Sequence, residues 1–143
     1  MREILFRGKS KETGKWIEGN LIHRTRFYGS STDDYHIIYG GEFHCDFYDS
    51  EEVIPKTVGQ YTGLTDKNGT KIFEGDIVKH YNNSDDGFDI GTIYWDERFN
   101  QWRRTSVGNF HHKSFTYVIN YTCEYEVIGN IHDNPELLKG GAE

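Results

Sequence analysis

Hydrophobic and polar positions alternate along most of this chain with a period of two, the spacing of strands that show one face to a core and one to water. Residues 2–7 set Arg2, Ile4 and Phe6 against Glu3, Leu5 and Arg7, which predicts a first strand partly covered on both faces. Polar residues 9–14 predict a turn, and residues 15–23, with Trp16, Ile17, Leu21 and Ile22, predict the returning strand. Gly19 inside that strand marks a bulge or a close backbone approach. Further strands are expected at 35–39, 42–48, 88–95, 101–106, 115–119 and 125–132, with an acidic patch at Asp49, Glu51 and Glu52 and an edge position at Pro55. One helix start is legible, at the end of the chain. Asn134 can cap, Pro135 suits the first helical position, Leu137 and Leu138 dock the turn, and Gly140-Gly141 stops it.

Residues 58–79 carry the most specific order of residues in the chain. Strands at 61–64 and 72–73 flank Asp66-Lys67-Asn68-Gly69, where Asn-Gly is a strong hairpin signal and Asp66 can accept the amides that follow it. Glu74-Gly75-Asp76 predicts a second sharp bend. Beyond it Asp76, Val78 and His80 point to one side and Ile77, Lys79 and Tyr81 to the other. Such a corner suits a small, strongly bent barrel.

Twenty-two aromatic residues, sixteen glycines and a scarcity of alanine agree with a mainly β class. A length of 143 residues fits a single domain, divisible into an N-terminal β meander at 1–57, a barrel at 58–134 and a short helix with its tail at 135–143. Cys45 and Cys123 lack a CxxC partner and a cysteine framework, so both are expected as free thiols in a reducing compartment. No apolar run reaches the length of a signal core or a membrane span, and the expected location is the cytoplasm. The net charge of -7 disfavours generic attraction to nucleic acid or anionic membrane. Its distribution changes that picture: residues 1–30 hold seven basic and three acidic side chains, residues 31–57 one and seven. A positive N-terminal face on an acidic body is the consequence.

Three blocks of sequence resemble the YopX protein family, small proteins of phages and prophages. Gln60-Tyr61-Thr62-Gly63-Leu64, Asp66-Lys67-Asn68-Gly69 and Glu74-Gly75-Asp76-Ile77-Val78 look like its most recognisable block. Met1-Arg2-Glu3-Ile4 with Phe6-Arg7 looks like its opening, and Glu126-Val127-Ile128-Gly129-Asn130-Ile131 with Asn134-Pro135-Glu136-Leu137 like its closing block. The resemblance implies a mainly β fold containing an SH3-like barrel, to which the residue pattern adds an N-terminal hairpin or meander and a short C-terminal helix. It brings no catalytic residues. The structural signature it shares is Tyr61, Gly63, Asp66, Asn68, Gly69, Glu74, Gly75 and Asp76, residues that form turns and corners.

Asp66, Glu74 and Asp76 are the candidate carboxylates for a divalent metal, as a nuclease would need. The competing reading gives Asp66 and Asp76 to backbone amides at their turns and leaves Glu74 solvated. His36, His44, Cys45, His111, His112, Cys123 and His132 show no zinc-ligand spacing, and no metal or other cofactor is expected. Asn82, Ser84, Asp86 and Gly87 echo a calcium loop, but its bidentate glutamate would fall on Ile93. No nucleophile elbow, phosphate loop or dinucleotide fingerprint is present. Arg2, Arg7, Lys9, Lys11, Lys15, Arg24 and Arg26 interleave with Trp16, Phe27 and Tyr28, the composition of a nucleic-acid surface.

The reading that follows is a phage or prophage accessory protein acting as a non-enzymatic binding module for a host or phage protein. Its specificity is expected in the loops at 26–34, 82–87 and 107–114. The alternatives are a nucleic-acid-binding barrel that uses the N-terminal face, and a metal-dependent nuclease. No membrane partner is expected, and exposed strand edges make a homo-oligomer plausible.

Overall fold

The computed structural model describes residues 1–24, 34–39, 49–81, 87–107, 116–119 and 124–139, with the backbone alone described at 116–118. The expected strand at 42–48, most of the three expected specificity loops, and Arg26, His44, Cys45, His111, His112 and Cys123 lie outside the described residues. Eleven strands and two single 3-10 turns occur among those described, and the fold is mainly β. The chain divides into two compact units, Met1–Tyr61 and Thr62–Glu143.

The first unit is an antiparallel meander of β1 (Phe6–Lys9), β2 (Trp16–Arg24), β3 (Asp34–Ile38) and β4 (Ser50–Val53), ordered β4-β3-β2-β1. The opening residues of β5 (Gly59–Thr65) add to the free side of β1, where Arg7 opposes Gly59. The meander curls until the end of β1 reaches β4. Ser10 bridges Val53, and the Lys11 amide donates to the Glu52 carbonyl at 3.0 Å. Gly8 permits the curl, because a Cβ there would sit 2.9 Å from that of Val53. Val53 and Ile37 are fully buried as a result. Glu51 and Glu52 of the expected acidic patch therefore lie in a strand, drawn in by Val53.

The second unit takes the rest of β5 with β6 (Lys71–Phe73), and a five-stranded sheet of β7 (Asp76–Tyr81), β8 (Phe88–Asp96), β9 (Gln101–Thr105), β10 (Thr116–Val118) and β11 (Tyr125–Asn130). The order is β10-β9-β8-β7-β11, antiparallel throughout. Ile72, Val78, Ile93, Ile119 and Tyr125 form its core, with Leu64, Trp102 and Val127 packed against it. Gly91 lies where the chain crosses closely; a Cβ there would meet the Thr105 carbonyl oxygen at 1.8 Å.

Two expectations are corrected. The strands form two antiparallel sheets, with no closed barrel among the described residues. The outer edge of β11 meets the turn at Asp66, where the Lys67 amide donates to the Tyr125 carbonyl at 2.9 Å. The expected C-terminal helix is a single 3-10 turn, Pro135–Leu138. Pro135 holds the predicted first position, but Asn134 makes no side-chain cap, and four residues give too little length to repay helix nucleation. Among the described residues no helix is long and apolar enough to cross a membrane.

Candidate functional site

Two of the three acidic candidates, Asp66 and Asp76, accept backbone amides. Asp66 Oδ1 accepts the amides of Asn68 at 2.8 Å and Thr70 at 2.9 Å, and Oδ2 accepts the amide of Val127 at 3.0 Å. Gly69, with φ of 82°, takes the left-handed conformation that closes this turn. Burial alone would raise the Asp66 carboxyl, but the amides of Val127, Thr70 and Asn68 outweigh it and hold the pKa below the ordinary value. Asp76 is 1% exposed and its Oδ2 accepts the Phe73 amide at 2.8 Å. Glu74 lies half-buried between them in sequence, at a bend where Gly75 has φ of 83°. Tyr61, Thr62 and Ile72 complete the block structurally, the Thr62 hydroxyl donating to the Ile72 carbonyl at 2.9 Å. Gly63 takes φ of 88° within β5. Among the described residues no group of three or more His, Cys, Asp or Glu is placed to hold a metal.

The basic N-terminal residues separate into those that the sheet gathers and those that it does not. Lys9 opposes Trp16 and Arg7 opposes Glu18 across β1 and β2, which puts Arg7, Lys9 and Trp16 on one face. The Arg7 guanidinium lies 4.6 Å from the Trp16 ring centre and the Lys9 ammonium 5.8 Å from it. Lys11 is turned away to pair with Glu52. Arg24 lies at the far end of β2 opposite Asp34, and Arg2 is exposed ahead of β1. Lys15 and Trp16 also line an open cleft of about 400 Å³, with Thr13, Ile17, Glu18, Tyr39 and Glu51. Its lining combines aromatic and aliphatic side chains with charges of both signs.

A second cluster in the other unit escaped the sequence. Lys67 lies 4.3 Å from the Tyr81 ring centre and 3.0 Å from Glu126, whose carboxylate also accepts the Tyr81 hydroxyl at 2.7 Å. Hydrogen bonds from Tyr81 and Lys67 lower the Glu126 pKa, and the bond to Glu126 raises that of Lys67. Lys79 lies 3.9 Å from the ring centre of Phe88 and 5.4 Å from that of Tyr81. The alternation of β7 does place Lys79 and Tyr81 on one side. Bringing Phe88, Lys67 and Glu126 to them requires the register of β7 with β8 and β11, which local pattern does not supply.

A buried polar cluster sits at one end of the second unit's core. Arg104, 3% exposed, donates to Asp89 at 2.7 Å, and the His80 ring lies 5.3 Å from that of Tyr125. Burial first, then the positive charge of Arg104, lower the His80 pKa against the opposing pull of Asp89.

A model of the family described as YopX protein matches residues 5–139. A solved structure, protein EF1440 from Enterococcus faecalis, is similar at 24% identity over 96% of this chain and 99% of that one. Its TM-score is 0.47, a superposition too loose to carry an argument. No curated protein matches the chain.

Proposed function

The chain belongs to the YopX protein family, and from that premise we propose that it is a non-enzymatic binding module, encoded by a phage or prophage, that engages a protein in the cytoplasm of a bacterial host. The observation that carries this reading is the cleft of the first unit. Its half-buried Trp16 and the exposed Tyr39 offer apolar contact area, and Lys15 and Glu18 add exposed charge of both signs to the same lining. Aromatic anchors with a polar rim are the composition of protein interfaces. The carboxylates that a nuclease would use are engaged with amides at Asp66 and Asp76, which favours binding over hydrolysis.

The test is capture of partners from host lysate by the tagged protein, with and without nuclease, beside the Trp16→Ala variant. Proteins retained after nuclease and lost with Trp16→Ala support the proposal. Capture that disappears entirely with nuclease overturns it. A second reading, nucleic acid on the face of Arg7, Lys9 and Trp16, is favoured by the two cations held over the indole. It predicts that Arg7→Glu with Lys15→Glu weakens oligonucleotide binding and flattens its salt dependence.

A further inference from the structure

Antiparallel partners share a face, so the registers Tyr81 to Phe88, Lys79 to Ile90 and Glu126 to Lys79 put these side chains on one side of the second unit's sheet. The core residues Val78, Ile93, Tyr125 and Val127 belong to the other side. From Lys79 outward the face opens to solvent, and Phe88 is 56% exposed. Rings and cations alternate across it. Lys67 covers Tyr81, and Lys79 lies between Tyr81 and Phe88, nearer the latter. Glu126 takes both Lys67 and the Tyr81 hydroxyl, which fixes the cation over its ring.

We propose that this face, built from Lys67, Lys79, Tyr81 and Phe88, binds single-stranded nucleic acid. Its chemistry matches that ligand in two ways. The exposed ring of Phe88, beside the half-buried Tyr81, offers a stacking surface to an unpaired base, whichever base is present. The Lys79 ammonium beside it supplies positive charge for the phosphates, with Lys67 held on Glu126, in a chain whose net charge is -7, so the attraction is local and strongly dependent on salt. A duplex keeps its bases stacked on one another and presents nothing for Phe88 to stack on. The surface therefore prefers single strands.

Fluorescence anisotropy of the full chain with a labelled oligothymidylate at low salt tests this. Phe88→Ala and Lys79→Gln alter exposed and half-exposed side chains, and far-ultraviolet circular dichroism checks that both variants remain folded. The expected result is saturable binding, weakened roughly ten-fold or more by Phe88→Ala, in keeping with base–aromatic stacking elsewhere. Lys79→Gln should weaken it and lower its salt slope. No binding at low salt overturns the proposal. So does loss with Trp16→Ala but not with Phe88→Ala, which would move the site to the first unit, and so does equal affinity for a duplex of the same length. Because the cleft reading concerns the other unit and a protein partner, the two can fail separately.

Discussion

Replacing Asp66 by asparagine keeps the size of the side chain and exchanges one acceptor oxygen for a donor. In the folded chain both oxygens are used, two amides on Oδ1 and the Val127 amide on Oδ2. Asparagine can satisfy one side only, so the substitution sets its NH2 against an amide N–H. A hydrogen bond to a charged group contributes about 1.5–3 kcal/mol, and leaving a buried amide unsatisfied costs about 1–3 kcal/mol. These contributions overlap, and the expected loss is about 3 kcal/mol for Asp66→Asn and roughly 4 kcal/mol for Asp66→Ala. Urea unfolding followed by tryptophan fluorescence reads this directly. With a denaturant slope near 2 kcal/mol/M, the Asp66→Asn midpoint should fall by about 1.5 M. Amide hydrogen exchange localises the effect, with Val127 losing protection first.

The pH dependence gives an independent check. The folded pKa of Asp66 is depressed, so its stabilisation is complete above the unfolded value near 3.9 and is lost as pH falls through the folded value. A protonated Asp66 resembles asparagine in carrying a donor. The gap between wild type and Asp66→Asn should then narrow as pH drops below about 4. Equal stability of the two proteins at neutral pH, or a gap that stays constant through the acid range, would refute the assignment of Asp66 as an acceptor of three amides.

Two glycines should fail for different reasons. Gly69→Ala has open space but φ of 82°, and should cost about 1–2 kcal/mol of conformational strain, whereas Gly91→Ala drives a methyl against the Thr105 carbonyl and should cost about 3 kcal/mol or more, both read from urea midpoints. Removing one partner of the buried Arg104–Asp89 pair, as in Arg104→Met, should destabilise by about 3–5 kcal/mol, and a double variant with Asp89→Leu should recover part of that loss. His80 should titrate by NMR below the ordinary histidine value, lower still in Asp89→Asn. Since the fold favours neutral His80, its contribution is present above the ordinary value and declines as pH falls through it; a His80 pKa above that value would contradict the packing described.

The parts of the fold set by local pattern were legible in the sequence. Strands β2, β3, β8 and β9 lie within a residue or two of their expected bounds, and β11 starts where expected and ends two residues early, because alternation and turn residues specify them. Asp66 was readable as an acceptor for the amides that follow it; its bond to Val127, 61 residues away, was not. The strand at Ser50–Val53 was hidden because its acidic side chains speak for solvent, while its place is decided by Val53 packing at Gly8. At the C-terminus, proline announced a helical start, and nothing in the composition revealed how short it would be. The same division holds for the candidate surfaces. Arg7, Lys9 and Trp16 could be grouped from one hairpin, but the face of Lys79, Tyr81 and Phe88 emerges only once three strands and a distant turn are in register.

The return of β1 to β4 has a kinetic meaning. The hairpin of β1 and β2 closes a short loop and can form early, within microseconds for typical hairpins. Ser10 gains its contact with Glu51 only after a span of 41 residues has been closed, and loop entropy delays such contacts. During synthesis the first strand therefore emerges long before its last partner exists. Until β4 arrives, Gly8 faces an empty place, and the first unit is a ribbon whose completion waits on the ribosome.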